Sequence, residues 1–160
     1  MVFDGCDAAT SQIYLPGNGQ MFFLEQPGLE QVHWRNLTLD FPAATQNYNG
    51  SITVVDGVEC GAEDCRFLAS FPDATEDGIY HQMQFLGGKN NKVTRCYARG
   101  AQVRLCSTGL SADGNACTDS LFEDCNDYGI SAVNGDAEGS FLRNIQVLRN
   151  RFRNVRGGGY

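Results

Sequence analysis

The sequence predicts an all-β chain wound as a parallel solenoid, and three observations carry that prediction. Apolar residues come in short alternating or continuous runs, and no window keeps the i, i+3, i+4, i+7 spacing of a helix for three turns. Clusters of turn-forming residues separate the runs. A short motif recurs every 25 to 31 residues, the length of one solenoid coil.

In chain order the strand-like runs are Ile13 to Leu15, Met21 to Leu24, Leu37 to Leu39, Ile52 to Val55, Val103 to Leu105 and Ile145 to Val147. Between them stand Pro16 to Gly19, Asn47 to Gly50, Gly87 and Gly88, Ala112 to Asn115, and Asn134 with Gly135. Nineteen glycines in 160 residues exceed the usual ~7% and suit a chain with many turns.

The recurring motif is a charged residue, then Asn or Cys, then any residue, then often an aromatic. It reads Arg35-Asn36-Leu37-Thr38, Asp64-Cys65-Arg66-Phe67, Arg95-Cys96-Tyr97-Ala98, Asp124-Cys125-Asn126-Asp127 and Arg149-Asn150-Arg151-Phe152. The expectation is one buried column of Asn36, Cys65, Cys96, Cys125 and Asn150 at a tight corner. Asn there tolerates the left-handed conformation, and Cys packs as a small hydrophobe. His33, Ala62, Val93, Phe122 and Val147, three residues earlier, are expected inward. The residues just before the anchors are Arg35, Asp64, Arg95, Asp124 and Arg149, whose signs alternate. Facing out, they would form a ladder in which each charge has opposite neighbours.

Composition limits the function. Twelve basic and 19 acidic residues give a net charge of −7 and a pI near 4.7. That balance disfavours nucleic acid. No apolar run approaches the ~18 residues of a membrane span, so no membrane partner is expected. The length fits one domain over residues 1–160. The first residues do not read as a signal peptide, and Gly157 to Tyr160 does not read as a cap. The chain is therefore expected to be a segment of a longer solenoid, or a short solenoid capped by partner chains. A homo-oligomer or larger assembly follows.

The coil phrases Val32-His33-Trp34-Arg35-Asn36-Leu37-Thr38-Leu39-Asp40-Phe41 and Ile145 to Val155 resemble the right-handed parallel β-helix of the pectate-lyase-like superfamily. Tyr14-Leu15-Pro16-Gly17 resembles a first-coil phrase of that group. The resemblance covers roughly residues 13–155, and the chain reads as about five to six coils where the enzymes of that group usually have more. Its members include pectate lyases, polygalacturonases, alginate-modifying enzymes and phage tailspikes, which hold polysaccharide in a groove along one outer sheet. The Asn-Thr-Asp, Asp-Asp, Gly-His-Gly and Arg-Ile-Lys set of polygalacturonases is absent here.

Functional residues are expected on the long insertions from Pro72 to Asn90 and Ser107 to Thr118. Asp77 and Asp113 are the candidate proton-transfer groups, among acids that also include Asp119 and Glu123. Tyr80 and Arg104 are the candidate substrate-binding pair, the ring for a sugar face and the guanidinium for hydroxyl or carboxylate groups. The plain alternative is solvated loop acids, a self-packed tyrosine and a surface ion pair. His81 and His33 read as partly buried structural residues. Asp113 to Asp124 fails the EF-hand pattern at its sixth and twelfth positions, so a Ca²⁺ site is unsupported and no cofactor or metal is expected. Cys60 with Cys65 and Cys106 with Cys117 could close small loops, but a core role favours free thiols. Of the sequons at Asn36 and Asn49, only Asn49 is expected to be accessible.

Two functions fit. One is a polysaccharide-binding or polysaccharide-cleaving β-helix, a lyase or glycoside hydrolase if it is an enzyme. The other is a non-enzymatic structural solenoid of a virion or cell-surface assembly. Both favour a virion or extracellular setting.

Overall fold

The computed structural model describes residues 1–14, 22–25, 29–41, 52–69, 81–106, 109–125, 128–133 and 138–156. These form a parallel β-helix, and no helix occurs among them. The first sheet stacks Val2–Asp4, His33–Arg35, Gly61–Glu63, Lys92–Thr94, Ala116–Thr118 and Gln146–Leu148. The second stacks Gln12–Tyr14, Thr38–Phe41, Arg66–Ala69, Tyr97–Arg99, Leu121–Glu123 and Arg151–Arg153. A five-stranded third sheet runs from Phe22–Glu25 through Ile52–Val55, His81–Leu86 and Gln102–Cys106 to Ile130–Ala132. A small fourth sheet holds Gly88–Lys89, Ala112–Asp113 and Leu142–Arg143.

Inward side chains meet their own column one rung away, so large and small residues take turns. Phe3 stacks on Trp34 at 5.7 Å, and Trp34 lies level with Ala62. On the second sheet Phe67, Ala98 and Phe122 lie level, and Phe122 stacks on Phe152 at 5.4 Å. Ile52, Met83, Val103 and Ile130 line the third sheet, all buried. Alternation of bulk fills the interior without forcing rotamers.

The corners repeat one device, a residue in the left-handed region followed by an inward residue. Between the first and second sheets the left-handed column is Asn36, Asp64, Arg95, Asp119 and Arg149, with φ of 52–55°. Before the first sheet it is Gln31, Glu59, Asn90, Gly114 and Asn144. After the second sheet come Gly100, Asp124 and Asn154. After glycine, Asn and Asp tolerate this conformation best.

This lattice corrects the expected register. The inward corner column is Leu37, Cys65, Cys96, Ser120 and Asn150, fixed by hydrogen bonds from Arg66, Tyr97, Leu121 and Arg151 N–H groups to the carbonyls one rung before. Asn36 lies one position earlier, half-buried, and its side chain donates to Asp4. Cys125 belongs to the next corner, where Arg156 N–H donates to its carbonyl. Asp124-Cys125 resembles Asp64-Cys65 because both corners use the same local geometry. His33 also departs from expectation. It faces out, and Trp34 takes the buried position.

A further ladder escaped the sequence reading. At the corner into the first sheet, the Asn91 side chain accepts from Cys60 N–H, and the Asn115 side chain accepts from Asn91 N–H. Asn91 Nδ2 donates to Gly57 O and Asn115 Nδ2 to Leu105 O, and both residues are fully buried. Replacing Asn91 by Ala strands a buried N–H and a buried carbonyl and is expected to destabilise by about 2–3 kcal/mol in urea unfolding. Exposed Lys92→Ala is expected to change stability by no more than about 0.5 kcal/mol. Equal values for the two would show that the ladder carries no weight.

Candidate functional site: a basic groove on the second sheet

With the interior packed, ligands must meet the outer faces. On the second sheet the outward positions Arg66, Tyr97, Leu121 and Arg151 are level with one another, and Thr38, level with Arg66, is buried with its hydroxyl donating to Ala8 O. The Arg66 guanidinium lies over the Tyr97 ring, 5.6 Å from its centre. The Tyr97 hydroxyl donates to Glu123 at 2.7 Å. Burial pushes the Tyr97 phenol up, and the Glu123 carboxylate pushes it further, so the ring stays neutral and anchored at its tip. Leu121 and Arg151 continue this platform one and two rungs on.

The corner charges form the other wall. Arg95 grips Asp64 with Nε and Nη2 at 2.9 and 2.8 Å, and Nη2 also reaches Glu63. Arg149 grips Asp119 in the same way at 2.5 and 2.7 Å. The outer ladder therefore runs Asp64, Arg95, Asp119, Arg149. It keeps the expected alternation over four rungs, with Asp119 in the place of Asp124 and neutral Asn36 in the place of Arg35. Arg35 sits one position earlier and pairs with Glu63 at 3.2 Å. Asp124 sits at the following corner, where Arg99 and Asn154 hold it.

Between platform and ladder lies a groove of about 720 Å³, within the range of saccharide-sized sites. Four arginines and two aspartates line it, and the carboxylates of Glu63 and Glu123 stand behind Arg95 and Tyr97. The surrounding chain is acidic. All 19 carboxylate residues lie at or before Glu138, while Arg143, Arg149, Arg151, Arg153 and Arg156 follow with no acid among them. The arginine-lined groove therefore opens beside the basic last rung of an otherwise negative molecule.

The residues expected from the sequence lie elsewhere. Asp77 and Tyr80 fall outside the described residues. Arg104 lies on the third sheet, level with Thr53, Gln84 and Ser131. Thr53 and Gln84 are fully buried and joined by a 2.9 Å hydrogen bond, and burial lowers the Arg104 pKa. Asp113 lies on the fourth sheet between Lys89 and Arg143 and accepts from the Asn144 side chain at 2.8 Å. Arg104 and Asp113 thus occupy different sheets. The sequence reading missed Arg66, Tyr97, Leu121 and Arg151. Its signal was present as the position after each inward corner residue, which the motif leaves open to any residue.

A second groove of about 530 Å³ lies on the first sheet. Gly61 forms its floor between His33 and Lys92, and Glu59 and Glu63 flank it. Burial, then Arg35 and the chain amine, lower the His33 pKa, so its imidazole is neutral at pH 7. The walls carry both signs without an aromatic face, which makes this the weaker saccharide surface. Among the described residues no cluster of three His, Cys, Asp or Glu side chains could hold a metal, and no helix is long and apolar enough to cross a membrane.

Comparison with protein-family models, with curated proteins and with solved structures finds no match.

The ladder predicts an acid limb in stability. Hydrogen bonds from Arg149 hold the Asp119 carboxyl below its ordinary value, and those from Asn154 and then Arg99 do so for Asp124. A depressed folded pKa stabilises above the unfolded value near 3.9 and is lost as pH falls through the folded value. Tm is expected to drop below about pH 4, and Asp119→Asn is expected to be less stable than wild type at pH 7 and to lose less between pH 5 and 3. Identical pH profiles for the two proteins would show that Arg149 does not stabilise the ionised Asp119.

Proposed function

We propose that the chain is a polysaccharide-binding β-helix that holds an acidic glycan along the groove of the second sheet. The observation that supports this reading is the arginine-lined, aromatic-floored groove on a molecule whose net charge is −7. Tyr97 offers a flat face to the apolar side of a sugar ring. Arg66 is already stacked on that ring, and Arg151 is exposed beside Leu121. A guanidinium binds a carboxylate through two parallel hydrogen bonds, which a neutral sugar cannot match. The parallel rungs repeat every ~4.8 Å, so the groove runs across them and suits a chain-like ligand.

Assembly is the second reading. Val147, Leu148 and Phe152 are exposed on the last described rung, the surface an interacting chain would cover.

Affinity electrophoresis against acidic and neutral polysaccharides tests the first reading. Tyr97→Ala and Arg151→Ala are each expected to weaken binding on the order of tenfold, and high salt to weaken it further. Arg104→Ala, on the third sheet, is expected to leave binding unchanged. Loss of binding in Arg104→Ala with none in Tyr97→Ala would move the site to the face first read from the sequence. No glycan retention by wild type, together with concentration-dependent sedimentation, would favour assembly.

A further inference from the structure

None of the seven cysteines is in a disulfide, and six of them are buried. Two stand on adjacent rungs of one column. Glu63 lies level with Thr94 just before them, and Arg66 lies level with Tyr97 just after. Cys65 and Cys96 are therefore level too, and Tyr97 N–H donates to the Cys65 carbonyl at 2.9 Å. Adjacent strands stand ~4.8 Å apart, within the ~4.4–6.8 Å range between Cα atoms of a disulfide. Both thiols adopt the same posture. Cys65 Sγ points to Trp34 O and Glu63 O, and Cys96 Sγ points to Ala62 O and Thr94 O. Both residues border the corner groove, with their side chains turned inward and only 1% and 4% exposed.

We propose that Cys65 and Cys96 form a redox-closable staple between neighbouring coils, oxidised by a small-molecule disulfide. Cys65 is the attacking thiol. The neighbouring Cys96 thiol lowers its pKa, whereas burial keeps Cys96 itself protonated. The Cys65 thiolate attacks one sulfur of the small disulfide, breaks its S–S bond and expels one small thiolate. Cys96 then loses its proton and attacks the Cys65 sulfur, expelling the second. Two protein thiols become one disulfide, and one small disulfide becomes two small thiols. One side chain must turn about χ1 and give up its carbonyl contacts to close the bond. In-register parallel strands hold the two Cβ atoms farther apart than the ~3.8 Å a disulfide prefers, so the bond is strained and readily reduced. It would lie directly beneath the Arg66–Tyr97 stack, since those residues follow Cys65 and Cys96 in sequence. The staple does not depend on the glycan reading.

The test exposes the folded chain to oxidised glutathione, alkylates remaining thiols in denaturant and maps linked peptides by mass spectrometry. The expected result is loss of two of the seven thiols and a dominant Cys65–Cys96 cross-link, with Tm raised by about 4 °C and restored by dithiothreitol. The same oxidation in urea is expected to scramble the pairs. Cys65→Ala and Cys96→Ala should each abolish the cross-link, and the wild-type map decides the matter if either variant fails to fold. Persistence of all seven thiols in the folded chain, a dominant link between other cysteines, or Cys65 left as an unresolved glutathione adduct would each overturn the proposal.

Discussion

Every feature of this molecule depends on keeping the rungs level. Parallel backbone pairing leaves no tolerance for a corner that advances by one residue, because a single slip would turn each inward side chain outward. The chain meets this constraint with columns of residues in the left-handed region, from Gln31 to Asn144 at one corner and from Asn36 to Arg149 at the next. Such a conformation disfavours most residues by roughly 1–2 kcal/mol. The inward residues beside those columns offset that strain by bonding the backbone of a neighbouring rung. Asn91 and Asn115 do so at one corner, and Ser120 and Asn150 at the next.

The same device sets the outer chemistry. A residue in the left-handed corner position projects to solvent, so its charge stacks at rung spacing on its neighbours. Asp64, Arg95, Asp119 and Arg149 alternate there, which converts a geometric necessity into a stripe of paired ions. Once those pairs form, the aspartates no longer offset the sheet arginines. Arg66 and Arg151 then face the groove beside them.

Cysteine serves this architecture as a small inward residue. Cys117 and Cys125 are pushed up to about 12 by burial, which makes them inert packing elements at neutral pH. Cys65 differs because its own column places a second thiol directly on the next rung. The distinction arises from stacking and not from the local sequence, since Asp64-Cys65 and Asp124-Cys125 are alike in chemistry.

The sequence by itself determined the class of fold. Short apolar runs, abundant glycine and a motif returning every coil admit few architectures, because strand period and repeat length are local properties. It also carried the alternating ladder in outline, with Asp64, Arg95 and Arg149 correctly placed outward. It did not determine which charged dipeptide belonged to which corner. Asp119-Ser120 lacks the cysteine of the two rungs before it, Cys65 and Cys96, while Asp124-Cys125 has one and belongs to the next corner. Only the register of whole rungs separates them, and register is a sum over backbone pairs far apart in sequence. Tertiary structure likewise decided that His33 faces out, that Arg104 and Asp113 sit on different sheets, and that Arg66, Tyr97, Leu121 and Arg151 share a face. Those four residues are separated by 31, 24 and 30 positions along the chain. What unites them is the stacking of one coil on the next.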